Sequence, residues 1–287
     1  MALTQRTTLA SDWAPHVSVS FFTRLLSYLR STWVMLVYDN PIAWRLGLRG
    51  RPNDFEDMEG PFFLVGAPSR RQVADGQAVL ASPELLSRKP TPASNDTLTR
   101  SCPRIEYEPF LLALTVKDTR GDPVPHATVD AWQANSAGSY YFTSWTLRGK
   151  ATADAQGRLE LLTVRPGDYA GRSAHVHMRI GGPAAIPKGR HAPLTTQAYV
   201  LRGNDPSHLG RDVGMFFRSR RPDGLVVTCY ATAEGEEGRS YRELQKLPVE
   251  EPDLRDAVSR WNAKLRGHGV SKPILSVGRH EIKLTAL

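Results

Sequence analysis

The sequence predicts a mainly β protein: an antiparallel β-sandwich core, preceded by an N-terminal helical segment and followed by a C-terminal helix. Three observations carry this reading. Between residues 104 and 235, short runs rich in β-branched and aromatic residues alternate with Gly, Pro and Asp turns, and no helical periodicity intervenes. Before them, Phe22, Leu25, Leu26, Leu29, Trp33, Leu36 and Val37 recur at three- and four-residue spacing. After them, Pro252 to Leu265 repeats the helical pattern, with proline suited to the first turn and Gly267 to the stop. The chain therefore divides into a helical segment (1–58), an extended linker that covers whatever site the core carries (59–103), the sandwich (104–235) and a helix-and-strand extension (236–287).

Each element has its own justification. The first helix runs from about Val19 to Tyr38 and stops at Asp39-Asn40-Pro41; a short second helix covers Ile42 to Leu48. Phe55 to Pro68 is punctuated by Gly and Pro and reads as an irregular segment laid against a surface. Loops and short strands are expected from Ser69 to Pro103. Strands follow at Phe110–Val116, Ala127–Trp132, Leu159–Val164, Ser173–Ile180, Leu194–Leu201 and Gly224–Thr232, and a final strand, Ile274–Leu284, returns to the sheet.

Composition narrows the function. The 287 residues carry a formal net charge of +8, which suits an anionic ligand or product. The densest basic cluster, Arg218, Arg220 and Arg221, precedes the turn signal Pro222-Asp223-Gly224 and reads as a solvated hairpin tip, so no nucleic-acid partner is expected. Two cysteines, Cys102 and Cys229, make no disulfide framework, and no secretory signal opens the chain; both point to a reducing, cytoplasmic location. The most apolar early stretch, Val17 to Tyr38, is interrupted by Arg24 and Arg30 and is too polar for a membrane span.

The strand Ser173–Ile180 carries the chemistry. Ala174, Val176, Met178 and Ile180 fall on one face, and His175, His177 and Arg179 on the other. Two imidazoles at next-but-one positions can converge on one metal ion, although an isolated His-x-His is more often a solvated strand face. Two bends upstream, Trp132 to Tyr140 and Thr163 to Tyr169, each end a strand with a glycine-containing turn and a tyrosine. Together these stretches offer two phenol oxygens and two imidazole nitrogens. Phenolate is a hard donor that favours a hard trivalent cation over zinc.

The sequence resembles the intradiol ring-cleavage dioxygenases, non-haem ferric enzymes that open catechol-type rings between the two hydroxyls. The resemblance covers about residues 59 to 232. It is carried by Glu59-Gly60-Pro61-Phe62-Phe63, Gly66-Ala67-Pro68, the run from Gly121 to Asn135, Gly138-Ser139-Tyr140, Leu147-Arg148-Gly149, Thr152-Ala153-Asp154, Thr163 to Tyr169, Arg172 to His177, and Leu194-Thr195-Thr196-Gln197. It implies Fe(III) held by Tyr140, Tyr169, His175 and His177, with Tyr169 as the axial, displaceable ligand. Tyr140 rather than its neighbour Tyr141 matches the family's spacing from Trp132. The resemblance further implies Arg172, Tyr169 and Gln197 as catalytic residues, and Leu64, Ala67, Val213 and Gly214 as lining the ring pocket. Arg179, His126, His191 and His208 match no family role and read as structural.

One departure stands out. Only Ala170-Gly171 separate Tyr169 from Arg172, where many catechol-cleaving members have a long insertion. A shorter loop opens the pocket and favours a hydroxyquinol-type ring. The implied partners are a small aromatic diol and O2, and the helical segment resembles the part through which family members form homodimers. The alternative from another class is a non-catalytic β-sandwich binding module of the same fold, which has no reason to keep four ligand side chains and an arginine together.

Overall fold

Strict alternation shapes the smaller of two sheets. The computed structural model of the chain describes residues 18–46, 54–70, 72–88, 107–182, 191–214, 222–232 and 243–287; Leu48, Cys102, Arg218, Arg220 and Arg221 lie outside them. In the smaller sheet, β4 (Thr128–Gln133), β5 (Arg148–Thr152), β7 (His175–Gly181) and β8 (Leu194–Tyr199) pair in the order β5-β4-β7-β8, antiparallel throughout. Its inner face is apolar: Val129, Ala131, Val176, Met178, Ile180 and Ala198 are buried. Register then fixes its outer face. Trp132 pairs with Arg148 and His177, and His177 with Gln197, so Arg148, Trp132, His177 and Gln197 form one row across the sheet. A second row holds Lys150, Asp130, Arg179 and Thr195.

The larger sheet comprises β1 (Gln72–Ala74), β2 (Gln77–Val79), β3 (Pro109–Asp118), β6 (Arg158–Val164), β9 (Thr228–Ala231), β10 (Gln245–Lys246) and β11 (Ser276–Leu284), in the order β1-β2-β6-β3-β11-β9-β10. Its inner face contributes Leu112, Leu114, Leu159, Leu161, Ile282 and Leu284 to the core shared with the smaller sheet. Here the expectation of a purely antiparallel sandwich needs correction. β3 pairs with β6 antiparallel but with β11 parallel, and the β2–β6 and β9–β10 pairs are parallel too, so the sheet is mixed. A parallel neighbour needs a long crossover, and between β3 and β11 that connection includes α4 (Pro252–Gly267). The cue lay in the run Phe110-Leu111-Leu112-Ala113-Leu114, which is continuous rather than alternating because both faces of β3 are covered.

The outer cover of the large sheet is α4. Leu254, Ala257, Val258, Trp261 and Leu265 form one stripe, packed with Leu111, Leu162, Val164 and Val277. Each of the leucine and valine side chains, fully buried, contributes about 1.5–3 kcal/mol. Trp261 also satisfies its indole N–H on Glu160 Oε2 at 2.8 Å.

The N-terminal segment behaves differently. α1 (Phe21–Trp33) is capped by Ser20, whose hydroxyl accepts the Thr23 N–H, and continues into a wider π-helical turn, Val34–Tyr38. A short α2 (Pro41–Arg45) follows, and α3 is the single turn Pro83–Leu86. The amphipathic pattern of α1 is inverted relative to the protein: Ser27 and Ser31 are buried, while Phe22 is 80% exposed and Leu26, Leu29, Trp33 and Leu36 are also exposed.

Candidate active site and metal centre

Two glycines let the tyrosine-bearing bends meet. A Cβ on Gly138 would lie 2.2 Å from the Asp168 carbonyl oxygen, and one on Gly167 would lie 2.3 Å from the Ser136 carbonyl oxygen. Asn135 ties both bends. Its carbonyl accepts the N–H groups of Gly138 and Gly167, each at 3.0 Å, and its Oδ1 accepts those of Ala137 and Ser139 at 2.9 and 3.0 Å. The rings of Tyr140 and Tyr169 consequently sit edge to face at 5.2 Å. Tyr141 points elsewhere, sharing a 2.8 Å hydrogen bond with Tyr107.

From the outer face of β7, His175 and His177 reach the same space. Their Nε2 atoms are 3.0 Å apart, and the Tyr169 hydroxyl is 3.3 Å from His175 Nε2. His175 Nδ1 donates to the Ser173 carbonyl at 2.5 Å, leaving Nε2 as the lone-pair nitrogen. The His177 ring is stacked on Trp132, with centroids 4.9 Å apart. Burial, reinforced by the nearby Arg172 charge, pushes His175 down to about 3; burial and the neighbouring His175 drive His177 well below the usual imidazole value. Both rings are therefore held in the neutral form, the one able to ligate a metal. Burial raises both tyrosines, with Tyr169 holding Tyr140 higher still. The Tyr140 hydroxyl is buried with no hydrogen-bond partner.

This donor set fits a metal ion. Two neutral imidazoles and two phenols share one enclosed space, and the Tyr140 hydroxyl is buried beside Tyr169 with no well-formed hydrogen bond. Among the described residues no group of three His, Cys, Asp or Glu side chains gathers to hold a metal, so the candidate centre is this mixed nitrogen and phenol-oxygen set. A hard, trivalent cation suits it best.

Beside it sits a buried ionic network that sequence reasoning only half saw. Arg172 Nε donates to Asp212 Oδ1 at 2.7 Å, and its Nη2 donates to Gln197 Oε1 at 2.6 Å and to the Tyr199 hydroxyl at 2.8 Å. Burial opposes the charge, but Tyr199, Asp212 and further acidic groups outweigh it and raise the Arg172 pKa. Asp212 also accepts the N–H groups of Ser173 and Gly214, and a Cβ on Gly214 would be 2.6 Å from Arg172 Cζ. Gln197 Nε2 donates to the Met58 carbonyl at 2.8 Å. Between Tyr169 and Arg172 the chain makes a two-residue turn, with φ of +44° at Ala170 and +76° at Gly171, the sign pattern of a type I′ turn. Val213 is exposed beside it.

The roof is the segment 57–63. Phe62 lies 4.6 Å from the Tyr140 ring and 5.9 Å from Tyr169, and Phe63 packs edge-on against Trp132. Gly60, at φ +71°, passes over His177. The polar face of α1 and the residue that ends its π-helical turn hold this roof: Ser27 accepts the Val65 N–H at 3.0 Å, Arg30 forms a forked ion pair with Glu59, and Asp39 accepts the Gly60 N–H at 2.9 Å. Arg179 lies on the outside of Glu59 at 3.7 Å and against Phe63, away from the four donors.

The structure thus brings together Tyr140, Tyr169, His175, His177, Arg172 and Gln197, with Val213 and Gly214 at the arginine. Leu64 and Ala67, on the same segment as Phe62, are buried in a small apolar cluster with Val19 and Trp145. His126 sits in a turn, His191 bridges to Ala286, and His208 lies beside Asp205.

Residues 80–242, more than half of the chain, match the family model described as Dioxygenase. The chain belongs to the intradiol dioxygenase family. Among its relatives are a chlorocatechol 1,2-dioxygenase of Rhodococcus opacus, 26% identical over 50% of this chain and 54% of that one, and a catechol 1,2-dioxygenase of a Pseudomonas species, 29% identical over 49% and 44%. The chain spans about half the length of these relatives. Catechol 1,2-dioxygenase of Acinetobacter radioresistens shares the fold, at 21% identity, TM-score 0.53 and coverage of 91% of this chain and 76% of that one. So does hydroxyquinol 1,2-dioxygenase of Pseudomonas putida, at 18% identity, TM-score 0.53 and coverage of 93% and 82%.

Proposed function

We propose that this intradiol dioxygenase inserts both atoms of O2 into a catechol-type ring and yields a cis,cis-muconate-type diacid, with Fe(III) held by Tyr140, Tyr169, His175 and His177. The observation that carries the proposal is the convergence of two neutral imidazoles and two phenols on one buried space. Bound Fe(III) would supply the Lewis acidity that ionises phenols and diol at neutral pH and makes the ring reactive toward O2. The remaining tasks fall to the chain. Tyr169, next to the two-residue turn, is placed to take up a proton that a diol hydroxyl gives up on binding. The Arg172 guanidinium, fixed by Asp212, faces the negative charge that develops on the ring. Trp132 sets the plane of His177, and Phe62 limits which ring enters. The tight Ala170–Gly171 turn leaves the mouth open and favours a ring with a third hydroxyl, a hydroxyquinol.

Phenolate-to-ferric charge transfer absorbs visible light, so the pure protein is expected to be red and to hold about one iron per chain by elemental analysis. Tyr169→Phe is expected to weaken the band and slow ring opening. A colourless, iron-free protein from iron-replete cells sinks the proposal; unchanged colour in the variant sinks the role of Tyr169. Oxygen uptake across catechol, hydroxyquinol and protocatechuate identifies the substrate.

The exposed apolar face of α1 is part of the same proposal. Phe22, Leu26, Leu29, Trp33 and Leu36 make a patch too large for a free surface, and a second copy of the chain is its proposed occupant. Light scattering is expected to give a dimer that Leu29→Glu dissociates; a wild-type monomer at micromolar concentration removes this part. No helix among the described residues is long and apolar enough to cross a membrane. A cytoplasmic location, expected from the two cysteines of the sequence, belongs to the same proposal.

A further inference from the structure

Arg148 is a buried guanidinium that hydrogen-bonds no carboxylate; Asp130 acts on it only at a distance. It is 2% exposed, and its Nε donates to the Tyr141 carbonyl at 3.0 Å and its Nη1 to the Phe62 carbonyl at 2.5 Å. Its Nη2 has no hydrogen-bond partner. Burying a cation on neutral carbonyls, with its nearest carboxylate out of contact, is unfavourable, and proteins seldom leave it so weakly compensated. Desolvation accordingly draws its pKa down to about 10.

The position of Arg148 suggests what the missing compensation is. It opens the row Arg148, Trp132, His177, Gln197 across the outer face of the smaller sheet. Its Cζ lies 5.7 Å from the Tyr140 ring and 5.9 Å from Phe142. Tyr140 carries the other unsatisfied group in this corner, a buried hydroxyl with no hydrogen-bond partner. A cation with no anion in hydrogen-bond contact and a phenol that turns anionic on binding a metal are neighbours. The Phe62 carbonyl that Arg148 holds belongs to the residue whose ring stands over both tyrosines.

We propose that Arg148 is a positioning residue of the metal centre: its guanidinium is the fixed counter-charge to the Tyr140 ligand oxygen and the strut that sets Phe62 above it. The inference rests on the proposed ligation by Tyr140. A positive charge beside a phenolate lowers the energy of its electrons. Charge transfer to the metal then takes more energy, and the ferric state is stabilised less.

The test uses the full-length iron-loaded protein with three variants, Arg148→Met, Arg148→Gln and Arg148→Lys. Iron content, the position of the visible band and the Fe(III)/Fe(II) reduction potential are measured for each. Both uncharged variants are expected to move the band to longer wavelength and lower the potential, and Arg148→Lys, which keeps the charge, to restore most of both. Gln keeps a donor for the Phe62 carbonyl, so it serves if Met fails to fold. A band and potential unmoved in an uncharged variant that still holds iron overturn the counter-charge and leave the iron assignment standing. An equal shift in the Lys and Gln variants also overturns it, since hydrogen bonding rather than charge is then responsible. A wild type that binds no iron overturns the ligation itself and this inference with it.

Discussion

Asp212→Asn is expected to lower ring-opening turnover by on the order of a hundredfold or more, the size of effect seen when one charge-stabilising contact is lost. The reason is the arrangement around Arg172. One Asp212 oxygen holds Arg172 Nε and the Gly214 N–H, and the other holds the Ser173 N–H, two residues before the first histidine. The pair is buried, with the Asp212 side chain fully enclosed and Arg172 10% exposed. Removing one partner of such a pair leaves an uncompensated charge and costs about 3–5 kcal/mol of stability. The amide of Asn can still accept one backbone N–H, so the fold survives more readily than the position of the guanidinium. Steady-state oxygen uptake and urea unfolding check the two halves. A variant with wild-type turnover would show that Arg172 needs no carboxylate to do its work.

Gly138→Ala is the second large effect. The added methyl would meet the Asp168 carbonyl oxygen at 2.2 Å and Tyr169 Cβ at 3.0 Å, and the backbone there has φ +77°. Backbone oxygen cannot swing aside as a side chain can, so the two bends must separate. Overpacking and left-handed strain together cost on the order of 3 kcal/mol. For a chain of this size that is a fall in melting temperature of about 5 °C. Separated bends also part Tyr140 from Tyr169, so the visible band is expected to weaken even at temperatures where the variant stays folded. A melting temperature within about 1 °C of wild type, the scale of a surface substitution, would show that the bends tolerate a gap.

Much of this was legible in the sequence because it depends on period two. His175 and His177 share a face by alternation, and Gln197 and Tyr199 share one by the same rule on β8. The glycine bends were visible as bends. Their interlocking was not, because it is an approach of two backbones about 30 residues apart in sequence. Nothing in the sequence marks Asp212, a lone acid in a loop, as the partner of Arg172. Phe62 stood inside a quoted motif, but which of its neighbours faces the tyrosines depends on an irregular segment with no period to follow. Leu64 and Ala67 lie on that same segment, and their shared burial with Val19 and Trp145 is set by α1 and the 143–146 loop rather than by any period. The inversion of α1 could not be read either: periodicity finds an apolar stripe without saying which way it faces.

The position of β11 has a consequence for how the protein is made. The central strand β3, Pro109–Asp118, lies between β6 and β11, and its β11 partner begins at Ser276. During synthesis one edge of β3 stays unpaired while more than 150 further residues are added. At ordinary elongation rates that wait lasts roughly 10 to 30 seconds, with the apolar run from Phe110 to Leu114 at an open sheet edge. Contacts of such sequence separation also place folding at the slow end of the range for β proteins. Low yields on overexpression are therefore an expected trait of this chain, and slower translation or a holdase chaperone is the remedy the topology suggests.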